Sequence, residues 1–342
     1  MSRLLQIRAV FERALLPPSA PEPLDLTLLP GPFGSPWLHK QAHRLLPFWF
    51  LACASGFLIW IAVQPGVFGF DAHIYHRATA AWVSGGDPWA QSYRGFLFAA
   101  APPTLLVALP FLPLGENVTA ILWVAISFGS ALWVLRRLHL AWWWLLFPPL
   151  LEGIWVGNPN VIIVALLVAG GRTGAAISVL AKIYAAVPLI LMGRRRELAA
   201  AAAALLVTAP LLPWADFLAR WPTLSATLTQ QAAGGRSAIA FPVMLPFALA
   251  AIAGMGRYRA AWLAVPALWP ATQSHYTVLA LPVMHPLLAA VMAYPNPMAQ
   301  IVGIVLYGGL VIWISRGAQR QRAFGARVAG RVAVTPSRSP SP

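Results

Sequence analysis

Hydrophobic residues in this chain come in runs rather than in alternation. Apolar stretches cover roughly 46–64, 96–114, 117–135, 138–156, 158–170, 173–192, 198–213, 239–255, 260–272, 276–294 and 298–315. A run of about twenty such residues crosses the hydrocarbon of a bilayer as a helix. The period of two that marks barrel strands is missing, and backbone in hydrocarbon must bond to itself. The pattern therefore predicts an all-α, polytopic transmembrane helix bundle of about 10–11 spans. Several stretches are short or cut by proline, as in FPPLLEG at 147–153 and VPALWP at 265–270.

Composition sharpens the picture. The chain is 59% hydrophobic and 10% charged, with mean hydropathy +0.69. A soluble domain of this length has no place for that much apolar surface. The formal charge of +15 raises nucleic acid as a partner, but the cations are confined to a few places. They fall at Arg3, Arg8, Arg13, Lys40 and Arg44, in GRRRE at 193–197, in GRYR at 256–259, and from Arg316 onward. That is the distribution of cytoplasmic anchors, and no nucleic-acid partner is expected. The lone Cys53 excludes a disulfide within the chain and reads as a small packing residue.

Three regions follow. Residues 1–45 form a cytoplasmic segment, in which Leu4, Ile7, Phe11 and Leu15 share one face of a helix suited to the membrane surface, followed by a Pro-rich linker from Pro17 to Pro36. Residues 46–315 are the membrane domain, and 316–342 a basic, disordered tail. Alternating the spans puts 65–95, 214–238 and His275 on the outer side and GRRRE inside. Two features resist that scheme: it places Arg136 and Arg137 outside, and an odd number of spans puts the basic tail outside as well, unless one late segment is re-entrant.

Only nine carboxylates occur in 342 residues, and two of them, Asp71 and Asp87, lie in VFGFDAHIYHRATAAWVSGGDPW just after the first run. Read as a helix from Asp71, this stretch aligns Asp71, Tyr75, Ala78 and Trp82 on one face and His73 with Arg77 on another. It is expected to be an amphipathic helix on the outer surface, closed by a turn at Gly85, Gly86 and Pro88. Spacing leaves two roles open for Asp71, a helix N-cap or a catalytic carboxylate. Asp87 reads first as a turn residue and second as a substrate contact. Arg77 and Arg94 are either snorkelling surface residues or phosphate ligands. His73 and His76 lack the companions that would make a metal site, and none is expected. Glu152 and Lys182 lie within apolar runs, where an ionisable group is expensive; they either pair with each other or serve a substrate.

The stretch from Asp71 to Pro103 resembles the GT-C glycosyltransferases, in particular the GT87 group, which includes polyprenyl-phosphate-mannose-dependent mannosyltransferases. That group carries approximately Asp–x3–Tyr, then Gly–x–x–Pro–Tyr, then Tyr–x–Tyr–x–Pro–Pro. Asp71 and Tyr75 match the first element; Gly86, Pro88 and Trp89 match the second, with Trp for Tyr. Tyr93 and Pro102–Pro103 match the third, with Phe in place of its second Tyr. GNPN at 157–160 is similar to the group's Gly–Gln–x–Asn, with Asn158 replacing Gln, and LAKIYAAVPLIL at 180–191 to its Lys-containing span. The similarity covers about residues 45–290.

The resemblance implies a multi-pass protein of the cell membrane that transfers a hexose, commonly mannose, from a polyprenyl-phosphate donor to a lipid or glycan acceptor on the extracytoplasmic face. It implies inversion at the anomeric carbon, with Asp71 as general base and no cofactor. Substrate contacts are expected from Tyr75, Arg77, Asp87, Tyr93, Arg94, Asn160, Lys182, His275 and Tyr276. The competing reading is a transporter or flippase of a lipid-linked sugar, for which no internal repeat is visible.

Overall fold

The computed structural model describes residues 35–63, 65–232 and 235–332. Most of the described residues are helical. The helices are α1 (Pro36–Val63), α2 (Phe70–Val83), α3 (Pro103–Ala108), α4 (Glu116–Arg137), α5 (Pro148–Trp155), α6 (Asn160–Ala169) and α7 (Arg172–Ala181). After them come α8 (Ala186–Leu191), α9 (Arg195–Thr208), α10 (Trp214–Gln231), α11 (Leu245–Gly254), α12 (Arg257–Leu268), α13 (Pro286–Ala293) and α14 (Pro297–Val332). Among the described residues the only strands are β1 (Ser92–Tyr93) and β2 (Phe96–Leu97), an antiparallel pair with Tyr93 opposite Phe96.

Among the described residues three helices are long and apolar enough to cross a membrane: Lys40–Val63, Glu116–Arg137 and Pro297–Gly317. Two bent pairs raise the number to five, α5 with α6 at 107° and Arg195–Leu211 with α10 at 101°. Eleven apolar runs thus give far fewer long helices than expected. The breaks have local causes. Pro148 and Pro149 open α5, Pro159 precedes α6, and Gly170 and Gly171 take positive φ (77° and 89°) between α6 and α7. The run 96–114 is a strand, the short α3 and a 3₁₀ turn holding Pro110 and Pro113. The run 276–294 is largely a 3₁₀ segment, Ser274–Val283, followed by the eight-residue α13. An apolar run marks burial; it does not by itself mark a crossing.

Because 96–114 does not cross, α4 starts at the end of the molecule where α1 stops. Glu116, its first residue, bonds His73 and Arg77 of α2. Twenty-two residues later, about 33 Å at 1.5 Å per residue, it ends in Arg136 and Arg137. His139, just beyond, shares a groove with Lys40, His43 and Arg44 at the start of α1. Arg194 donates to the Leu167 carbonyl (2.9 Å) and Arg257 to that of Leu191 (3.0 Å), tying the other basic turns together. Along α14, Gly308 lies against Ala251 and Ile312 against Gly254, so Arg316 follows at that same end. The misfit of Arg136, Arg137 and the tail in the alternating scheme is thereby removed: the basic clusters lie at one end, and Asp71, Asp87 and Glu116 at the other.

Two domain boundaries shift. α1 begins at Pro36, so residue 45 falls inside a helix, and α14 continues to Val332, so 316–332 is helical rather than disordered. The expected surface helix near the N-terminus and most of the Pro-rich linker lie outside the described residues. Phe50 at the centre of α1 packs against Trp143, Trp144 and Phe147, anchoring the larger apolar core. A second, smaller core forms under α2 from Tyr75, Trp89, Phe98, Trp123 and Phe217, so α2 is a packed helix and not one lying free on a surface.

Candidate functional site

The sequence FGFD sets the position of α2. Gly69 takes a left-handed conformation (φ 61°, ψ 24°) that a side chain would strain, and a Cβ there would come within 2.6 Å of the Ala120 Cβ. Its N–H donates to the Trp155 carbonyl (2.9 Å) and that of Asp71 to the Val156 carbonyl (2.8 Å). The start of α2 is thus pinned to the end of α5. The cap is Gly69, with no side-chain bond, so Asp71 is not an N-cap. It sits in the first turn, where the helix dipole favours a carboxylate, and projects into a cavity of about 890 Å³.

The turn GNPN supplies its partner. Asn158 Oδ1 accepts from the Asn160 backbone N–H (3.0 Å), which can only donate, so Nδ2 must face the other way. Nδ2 donates to Asp71 Oδ2 (2.5 Å) and meets His275 Nε2 at 2.9 Å. His275 Nε2 therefore accepts, and its proton rests on Nδ1, 3.2 Å from Glu152 Oε1. Ser274 donates to the second oxygen of Glu152. A continuous line runs Asp71–Asn158–His275–Glu152. It holds Asp71 by one oxygen and leaves Oδ1 toward the cavity.

Lys182 lines the same cavity as Asp71. It stands at the break after α7 on extended backbone (φ −152°), with Nζ 5.3 Å from the centre of the Tyr75 ring. Among the described residues it has no ion-pair or hydrogen-bond partner, so of the two alternatives for Glu152 and Lys182 the mutual pair is not formed. Burial, reinforced by the Asp71 carboxylate, holds the Tyr75 phenol well above its ordinary pKa, so it stays a donor. Tyr184 donates to Asn160 and packs against Tyr276 and Trp269. Arg94 and Arg236 complete the cationic lining. Burial pulls the pKa of the Arg236 guanidinium down, while the Glu152 carboxylate opposes that fall. The rest of the wall is largely apolar, and Trp60 of α1 and Leu218 and Trp221 of α10 are exposed.

Of the residues singled out in the sequence, Asp71, Tyr75, Arg94, Lys182, His275 and Tyr276 line this one cavity. Four do not. Asn160 lies one layer behind, bonded to Tyr184 and to the His275 carbonyl. Arg77 is spent on Glu116 (2.8 Å) and the Ser92 carbonyl, and Tyr93 stacks on His73 with its hydroxyl on the Gly66 carbonyl. Asp87 caps the turn 88–90 through the Trp89 N–H (3.0 Å) and pairs with Arg220 at 2.6 Å. Arg77, Tyr93 and Asp87 are thus engaged in the packing around α2, and Asn160 in the layer behind the cavity. Glu152, singled out in the sequence as an ionisable group within an apolar run, also lines the cavity, as do Asn158, Tyr184 and Arg236. Asn158 was visible only as a departure from Gly–Gln–x–Asn. Asp87→Asn keeps the cap and loses the exposed pair with Arg220, so it is expected to cost under about 1 kcal/mol, read as a small fall in melting temperature with unchanged activity.

Among the described residues no three His, Cys, Asp or Glu side chains converge to hold a metal. No protein-family model, curated protein or solved structure matches the chain.

Proposed function

We propose that this chain is an integral membrane glycosyltransferase of the GT-C type. It transfers a hexose, mannose by its likeness to the GT87 group, from a polyprenyl-phosphate donor to a lipid or glycan acceptor with inversion. The observation that carries the reading is the placement of Asp71 and Lys182: a carboxylate bonded through one oxygen and an ammonium without an ion-pair partner among the described residues line one largely apolar cavity.

Each part of the reaction finds a group. The acceptor hydroxyl gives its proton to Asp71 Oδ1 as its oxygen attacks the anomeric carbon. The bond from that carbon to the phosphate oxygen breaks, and the electron pair leaves with polyprenyl phosphate. Lys182, Arg236 and Arg94 meet the charge that develops there, and Tyr75 and Tyr276 donate hydrogen bonds. Asn158, held by His275 and Glu152, fixes the carboxylate so that its free oxygen faces the acceptor. The exposed apolar rim at Trp60, Leu218 and Trp221 suits a polyprenyl chain entering from the bilayer. A phosphomonoester leaving group carries less charge than a diphosphate, so this chemistry requires no cofactor.

The charge distribution supports an orientation. Basic clusters belong on the cytoplasmic side, which puts the cavity on the extracytoplasmic face of a multi-pass protein in the cell membrane. Single cysteines at Ser92 and Ser225, in a Cys53→Ala background, are expected to react with an impermeant thiol reagent in intact cells. A cysteine at His139 is expected to be protected until the cells are opened. Labelling at His139 from outside would overturn the orientation.

A further inference from the structure

The first turns of α1 carry two stripes with helical spacing. Lys40, His43, Arg44 and Pro47 form one; Ala42, Leu45, Leu46 and Trp49 form the other. The first faces a groove of about 550 Å³ completed by His139, Leu140 and the tryptophans Trp143 and Trp144. The second faces an apolar groove of about 500 Å³ walled by α13, where Leu287, Ala290 and Val291 stand opposite. Pro286 lines both, so the two grooves adjoin. Among the described residues no acidic side chain lines either one, and Lys40, His43, Arg44 and His139 are all exposed. The apolar groove exists because α13 has only eight residues, about 12 Å, too short to cover the flank of α1. At its edge Trp49 Nε1 donates to the Ala290 carbonyl (2.8 Å) while its ring stacks on Tyr294.

We propose that these adjoining grooves bind one anionic phospholipid. The phosphate and any further anionic group lie among Lys40, Arg44 and His139, with an acyl chain along Leu45, Trp49 and Ala290. The shape is that of a lipid, with a cationic end at the level of the basic clusters and a dry slot running toward the bilayer interior. The charge selects the headgroup. A zwitterionic choline would bring its own cation into a site that already holds four basic side chains and no carboxylate, whereas a phosphoglycerol headgroup brings none. The interfacial tryptophans beside it fit the headgroup level. This site lies at the opposite end of the molecule from Asp71 and does not depend on sugar transfer.

The test uses the purified full-length protein, stripped of lipid in detergent and offered equal phosphatidylglycerol and phosphatidylcholine, with bound lipid read by native mass spectrometry. Phosphatidylglycerol adducts are expected to dominate. Each surface Lys or Arg near an anionic lipid is worth about fivefold, so Lys40→Gln with Arg44→Gln is expected to lower phosphatidylglycerol retention about twenty- to thirtyfold and leave phosphatidylcholine unchanged. Ala42→Phe, which fills the slot, is expected to lower both. Arg195→Gln with Arg196→Gln removes the same charge elsewhere at that end and is expected to change nothing. Equal retention of the two lipids by the wild type, persistence in the Lys40/Arg44 variant, or an equal loss in the Arg195/Arg196 control would each overturn the proposal.

Discussion

An Asp71→Asn protein is expected to fold normally and to lose sugar transfer by about a hundred- to ten-thousandfold, the share of a positioned general base. The substitution isolates the charge. Asn158 Nδ2 donates to Asp71 Oδ2 at 2.5 Å, and an Asn side-chain oxygen at position 71 can take the same bond. Helix α2 starts on Gly69 and on backbone bonds to Trp155 and Val156, none of which involves the carboxylate. Stability should therefore change by less than about 1 kcal/mol, since the substitution keeps the side chain's size and its bond and breaks no cap. Donor binding should survive, because the carboxylate addresses the acceptor hydroxyl and not the phosphate. Turnover of purified protein and its melting temperature check both halves. A well-folded Asp71→Asn protein with full activity would remove Asp71 from the chemistry.

Lys182→Met is expected to raise the KM for donor or lower kcat by a combined ten- to hundredfold. That is the worth of a charge-assisted hydrogen bond to phosphate, about 1.5–3 kcal/mol. The acceptor KM should not move. Stability gives an independent readout, since Met keeps most of the length and removes a cation held without an ion-pair partner among the described residues. Burying an unpaired charge is costly, so the variant should be as stable as the parent or more so. A gain in stability together with a loss of function marks a residue retained for its substrate. A Lys182→Met protein with unchanged donor kinetics would move the phosphate site toward Arg94 and Arg236.

Much of the site was legible because its rarest residues are chemically expensive. A chain with nine carboxylates gives weight to each, and Asp71, Lys182 and His275, far apart in sequence, line one cavity. What hid the rest was pairing. The shared face of His73 and Arg77 was readable from spacing, but their common partner, Glu116, lies beyond the hairpin and could not be read from the stretch itself. Arg77, Tyr93 and Asp87 look like ligands for the same reason they are useful as scaffold: each is polar and close to α2. Asn158 shows the converse. As a letter it is a mismatch to Gln; in place, its amide joins Asp71 to His275. The fold was legible in class and misread in count. Apolar runs such as 96–114 and 276–294 are buried by neighbouring helices rather than by length, and hydropathy does not distinguish a half-helix packed inside the protein from one that crosses. The basic residues Arg136 and Arg137 carried the correction in plain sight, because a cluster on the wrong side of a topology is a reason to recount the spans before it.

The central claim is that this chain moves a sugar from a lipid phosphate onto a hydroxyl. The most direct measurement uses purified full-length protein in liposomes loaded with radiolabelled polyprenyl-phosphate mannose and a mixture of acceptor lipids. The account predicts label in a new, alkali-stable glycolipid, with polyprenyl phosphate released in equal amount, and neither product from Asp71→Asn. Label that crosses the bilayer still attached to its polyprenyl phosphate, with no product formed and no dependence on Asp71, would contradict it and identify a flippase.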